Sequence, residues 1–112
     1  MDLETLIAKH SEMVRTGSGA RALANVEALL YAQAPVPRVG HATLRWLAKT
    51  LRQSQGALSR RRELWLCGEA AEPLWLRVEA GMPIGRASRV LAGARKYASR
   101  RDPVALLAAI EH

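Results

Sequence analysis

The chain has no phenylalanine, one cysteine and few β-branched residues. Scarce Val, Ile and Thr disfavour a sheet. A lone Cys67 cannot form an internal disulfide, which excludes the small secreted scaffolds that replace a core with crosslinks and points to a reducing compartment. No apolar run reaches the roughly 18 residues that cross a bilayer. The start, Met1-Asp2-Leu3-Glu4, lacks the basic and apolar regions of a secretory signal. His10, His41 and His112 have no metal-ligand spacing with one another or with Cys67. Cys67 lies in an apolar, Trp-flanked stretch, where a thiol is expected to be buried and inert. Gly17-Ser18-Gly19 is neither a nucleophile elbow nor a phosphate loop, and Glu69, Glu72 and Glu79 read as solvated carboxylates. No catalytic constellation emerges, so neither an enzyme nor a cofactor is expected.

What remains is rich in helix formers. Hydrophobic residues make up 49% of the 112, mostly Ala and Leu. The length suits a single domain, residues 1–112, with a modest core. The net charge is +7, and the stretch 86–101 carries six basic residues and no acid. Such a stretch suits nucleic acid, an acidic protein or a solvated face.

Apolar periodicity predicts seven helices. The first, 2–15, carries Leu3, Leu6, Ile7 and Val14, with His10 and Met13 near that face. Gly17-Ser18-Gly19 breaks it, and Ser18 is the expected N-cap of a second helix, 20–33, bearing Leu23, Val26, Leu29 and Leu30. Ala34-Pro35-Val36-Pro37 ends that helix. A third, 38–53, has an apolar stripe of Leu44, Leu47, Ala48 and Leu51 beside a basic stripe of Arg45, Lys49 and Arg52. A fourth spans 57–68, and a fifth, 72–81, has Pro73 in its first turn. A sixth, 84–100, places Ala87, Val90, Leu91, Ala94, Tyr97 and Ala98 on one face. Asp102-Pro103 caps the last, 103–111. The apolar runs 64–67 and 74–78 also permit a β-hairpin around residues 68–72.

Pro35 and Pro103 are 68 residues apart (103 − 35), two units of 34. That is the period of the tetratricopeptide (TPR) repeat, a helix–turn–helix unit. The expected fold is therefore all-α: three TPR-like antiparallel hairpins plus a C-terminal capping helix. The repeat is degenerate. Trp75, Val78, Ala98 and Pro103 match it in the third unit, where Glu79, Met82 and Arg95 depart from it. The second unit matches at Leu44 and Ala57, and the first only at Pro35.

The stretch Glu72-Pro73-Leu74-Trp75-Leu76, the turn at Gly81 to Gly85 and the run Ala98-Ser99-Arg100-Arg101-Asp102-Pro103 resemble the C-terminal half of the type III secretion needle chaperones YscG, PscG and AscG. Leu6-Ile7-Ala8 followed by Thr16-Gly17 is similar in plan to the N-terminal half; residues 34–71 match poorly. The resemblance implies a TPR-like protein of the bacterial cytoplasm that works with a small YscE-type co-chaperone. It implies that the amphipathic C-terminal helix of a needle subunit lies in a concave groove, which prevents premature polymerisation. By register, Val39, Ala42, Trp46, Leu76 and Ala80 would line that groove. Leu3, Leu6, Ile7 and Val26, on the N-terminal hairpin, would meet the co-chaperone.

Residues 80–93 also resemble a helix-turn-helix of the LacI type, with Ser88-Arg89-Val90-Leu91 in the second helix. On that alternative the chain is a small DNA-binding repressor. Arg86 and Arg89 would face the major groove, and Lys96, Arg100 and Arg101 would contact phosphates.

Overall fold

The computed structural model describes residues 1–112 and is entirely helical. The helices are α1 Leu3–Arg15, α2 Ala20–Gln33, α3 Ala42–Leu51, α4 Gln55–Leu66, α5 Glu72–Glu79, α6 Ile84–Ala94 and α7 Pro103–Glu111, with a 3-10 turn at Gly68–Ala71. They gather into two compact units, Met1–Arg62 and Glu63–His112, with the boundary inside α4. The segments that could have paired as a β-hairpin are helical. No helix is long and apolar enough to cross a membrane.

In the first unit, α1, α2 and α3 pack on one another. Leu6, Val26, Leu30, Tyr31, Leu47, Leu51 and Leu58 form its core, edged by Leu3, Ile7, Met13, Leu44, Trp46 and Ala48. Asp2 starts α1, its Oδ1 accepting from the Thr5 N–H at 2.8 Å. Hydrogen bonds from Thr5 hold the Asp2 carboxyl below its ordinary value. The cap is therefore intact above the carboxylate range and lost as pH falls through that lowered value. At the other end of the pair, Arg38 donates to the Tyr31 and Ala32 carbonyls at 2.7 and 2.8 Å, satisfying the last turn of α2 where a cation also suits the helix dipole.

In the second unit, α5 packs on α6, and α7 packs on both α6 and the 3-10 turn. Leu64, Leu74, Trp75, Leu91, Leu106 and Ile110 are buried there, with Ala70, Ala71, Ala87 and Ala94. Asp102 caps α7, accepting from the Ala105 N–H at 3.2 Å, and Pro103 occupies the first turn, where its missing N–H costs nothing. Cys67 is 4% exposed, and burial pushes its thiol up.

One turn recurs three times. After α1, Gly17 takes φ +79°, its N–H meets the Val14 carbonyl and the Ser18 N–H meets the Met13 carbonyl at 2.8 Å. After α5, Gly81 takes φ +114° and the Met82 N–H meets the Arg77 carbonyl at 2.9 Å. After α3, Arg52 takes φ 55° and the Gln53 N–H meets the Ala48 carbonyl at 3.1 Å. Each closes its helix as a Schellman motif around a positive-φ residue. In every case the next helix begins three residues later, at Ala20, Gln55 and Ile84.

These turns explain several departures from the expected elements. Ser18 is not an N-cap: it closes α1, and Gly19 opens α2 with no side-chain cap. The third helix starts at Ala42 rather than 38, because Pro37 and Gly40, at φ +54°, hold residues 34–41 out of the helical region. The sixth ends at Ala94 rather than 100. Beyond it the bonds tighten to the Lys96-to-Gly93 and Tyr97-to-Ala94 pattern. Tyr97 thus leaves the apolar face and is 87% exposed.

A Cβ added at Gly17 or Gly81 meets nothing within 4 Å, so only the backbone opposes it. Gly17→Ala and Gly81→Ala should each lower stability by about 1 kcal/mol, and Arg52→Gly should raise it by up to about 1 kcal/mol, measured by urea unfolding.

Candidate protein-binding surface

The expected groove residues divide between the units. In the first, Val39 lies in the irregular segment before α3, is 71% exposed and accepts from the Ala42 N–H at 3.2 Å. Ala42 opens α3, and Trp46 follows one turn later, half-buried against the core. In the second, Leu76 is 55% exposed on α5, and Ala80 follows one turn later at the helix end, also exposed. Each unit therefore presents an apolar i, i+4 pair, on α3 in the first and at the end of α5 in the second.

Two of the expected co-chaperone residues are misplaced. Leu6 and Val26 are 1% and 6% exposed inside the core of the first unit, so the folded chain cannot offer them to a partner. Both sit on the stripe their own helices bury against each other. Leu3 and Ile7 are half-buried at its edge. The apolar side chains that reach solvent on these helices are Val14 and Leu29, at 42% and 52%. Leu29 follows from α2 carrying adjacent leucines, of which a single-sided helix buries one, Leu30.

Beneath this surface lies a polar cluster that periodicity does not reveal. Glu27 of α2 is 2% exposed. Its Oε2 is 2.7 Å from His10 Nε2 of α1, which must donate because an ionised carboxylate only accepts. Arg61 of α4 clamps the same carboxylate, Nε to Oε1 at 2.8 Å and Nη2 to Oε2 at 2.7 Å, and Nη2 also reaches Gln53 Oε1 at 3.2 Å. His10 Nδ1 is buried without a partner. The cluster is closed to solvent, with His10 at 0% and Arg61 at 6% exposure, so it pins helices rather than performing acid–base chemistry. Beside it, the Arg62 guanidinium sits 4.3 Å above the Tyr31 ring.

Glu27 and Arg61 are 34 residues apart. That spacing is the one sign of the pair in the sequence. Glu63 and Arg95, 32 apart, form a half-exposed pair in the second unit.

The charge is not where the basic stretch 86–101 suggested. Residues 1–62 hold ten Lys and Arg against four Asp and Glu, a net +6 (10 − 4); residues 63–112 hold seven against six. Residues 28–62 contain no acid at all. On α6, Arg86 and Arg89 are exposed, as are Lys96, Arg100 and Arg101 beyond it. An open cleft of about 730 Å³ lies between the end of α6 and α7, lined mostly by Gly93, Ala94, Ala108 and Ala109, with Tyr97 and His112. No group of His, Cys, Asp and Glu is placed to hold a metal ion.

No family model matches this chain, and no curated protein or solved structure matches it either.

Glu27→Ala would leave Arg61 buried and uncompensated, and should cost about 3–5 kcal/mol in a denaturation experiment. Cys67 should resist a thiol-specific reagent in the native protein and react fully once urea unfolds it.

Proposed function

We propose that this protein is a helix-holding chaperone of the needle-chaperone kind: three TPR-like hairpins closed by α7, acting in the bacterial cytoplasm. On this reading it binds the amphipathic C-terminal helix of a needle subunit with the help of a small YscE-type co-chaperone. Nothing is catalysed and no cofactor is needed. The observation that carries the reading is Leu76, 55% exposed with Ala80 one turn on, in the segment 72–76 that bears the family resemblance. An apolar side chain left in water on an otherwise amphipathic helix is what a partner helix would cover. The same Schellman turn at Gly17, Arg52 and Gly81 favours a hairpin repeat, and so do the contacts about one period apart. Exposed Val39 and half-buried Trp46 supply the same chemistry in the first unit.

The mechanism is sequestration. A subunit that polymerises through an apolar helical stripe cannot do so while that stripe is buried against another surface. Helix in groove is a reversible contact, so the subunit is released without a covalent step.

A second reading has its own observation. Arg86 and Arg89 are exposed on α6 and have no carboxylate partner, and α6 follows α5 after a turn of residues 80–83. That layout permits a DNA-reading helix.

Co-expression with the needle-type subunit and co-chaperone encoded beside it should give a soluble ternary complex on gel filtration. Leu76→Glu should weaken subunit binding by about tenfold or more without changing helix content. Absence of any complex rejects the chaperone reading. A salt-sensitive, sequence-selective DNA shift abolished by Arg86→Ala with Arg89→Ala would favour the repressor instead.

A further inference from the structure

The outer face of α3 carries a cationic row that the fold does not use. Arg45, Lys49 and Arg52 recur at spacings of four and three, all are exposed, and none has an acidic partner. No acid occurs anywhere in residues 28–62 to neutralise them. The neighbouring side of the helix is apolar: Ala42 and Trp46 stand one turn apart, with exposed Val39 just before them.

We propose that this face docks an acidic amphipathic helix from a protein partner. Partner carboxylates at i, i+4 meet Arg45, Lys49 and Arg52, while the partner's apolar stripe covers Ala42 and Trp46. The proposal rests on the helix-holding function above and specifies the chemistry of the helix held. Charge complementarity selects the occupant. Carboxylates one turn apart on a helix repeat every roughly 6 Å, which matches the step from Arg45 to Lys49. A nucleic acid would match the cations but offers a phosphate backbone, with nothing to cover the apolar strip beside them.

Two structural costs point the same way. Cations at a helix C-terminus are favoured by the helix dipole, which accounts for Lys49 and Arg52. It does not account for Arg45, one turn from the N-terminus of a helix with no acid in its first turn. Arg52 is the one non-glycine residue at positive φ, in a turn that elsewhere uses Gly17 and Gly81. A side chain held there at a cost to the backbone is a mark of function when it also carries the charge the surface requires.

A fluorescent synthetic amphipathic helix, with leucines on one face flanked by glutamates, is the probe, and binding is read by anisotropy. Its comparison is the same peptide with lysines replacing the glutamates; a short DNA duplex is the competitor. The acidic peptide should bind, weaken with added salt, and lose about tenfold or more in affinity to the Arg45→Glu, Lys49→Glu variant. The Lys9→Glu, Arg60→Glu variant makes the same change in net charge on exposed side chains elsewhere in the first unit and should keep wild-type binding. Arg52→Gly should weaken binding while raising the urea midpoint, opposite signs that a purely structural role does not produce. Circular dichroism checks each fold, and Arg45→Gln with Lys49→Gln serves if the reversal disturbs it. Equal binding of both peptides, or equal loss in the control variant, overturns the proposal. So does a duplex that displaces the peptide and depends on the same row. Peptide binding that survives failure of the needle-subunit complex removes the chaperone reading and leaves the docking face standing.

Discussion

The carboxylate of Glu27 is the group around which the first unit is arranged. A buried charge is tolerated only when its lone pairs are filled, and two helices meet that demand at once. His10 comes from α1, Arg61 from α4, and Gln53 from the turn between α3 and α4 steadies the guanidinium. A hydrophobic contact tolerates a shift of an ångström; a two-pronged guanidinium–carboxylate contact does not. Sliding any of these helices by one turn would strand a charge in the core. The leucines around it provide most of the burial, but Glu27 specifies which helix faces which. A buried ion pair adds little net stability over an apolar filling of the same shape, so its value here is in register.

A second constraint is local: one turn geometry recurs after α1, α3 and α5. Each of these helices ends on a positive-φ residue, and the following helix starts three residues later. In the first unit Glu27 of α2 meets Arg61 of α4 at a spacing of 34. Glu63 and Arg95 meet at nearly the same spacing in the second unit, but at the surface, where the pair contributes little. The surfaces left over, apolar at Leu76 and mixed apolar and cationic on α3, are where a partner would be read.

Much of the helix plan was visible in the residues because its punctuation is chemical. Asp102 as a cap, Pro73 and Pro103 in first turns, and Gly17 and Gly81 after helices each impose a local geometry that tertiary packing did not need to override. Where two local signals competed, the bounds slipped. The apolar stripe allows the third helix to start at 38, but Pro37 and Gly40 at positive φ delay it to Ala42. Ser18 suits an N-cap, but its N–H is needed to close α1. The site was less legible. Periodicity marks Leu6 and Val26 as apolar without saying whether the chain or a partner buries them; α1 and α2 bury them against each other. Glu27 was marked only by its 34-residue spacing from Arg61, because one acid on an Ala- and Leu-rich helix has no periodic pattern, and burial of His10, Glu27 and Arg61 together depends on three helices at once.

A double-mutant cycle at Glu27 and Arg61 tests this account most directly. The account predicts that Glu27→Leu and Arg61→Leu are each severely destabilising. It predicts that the double variant, which leaves no charge stranded, is less destabilised than the sum of the two by about 2 kcal/mol or more in urea unfolding. Additive losses would contradict it, since they would mean that the two side chains act independently and that no shared carboxylate sets the register of the helices.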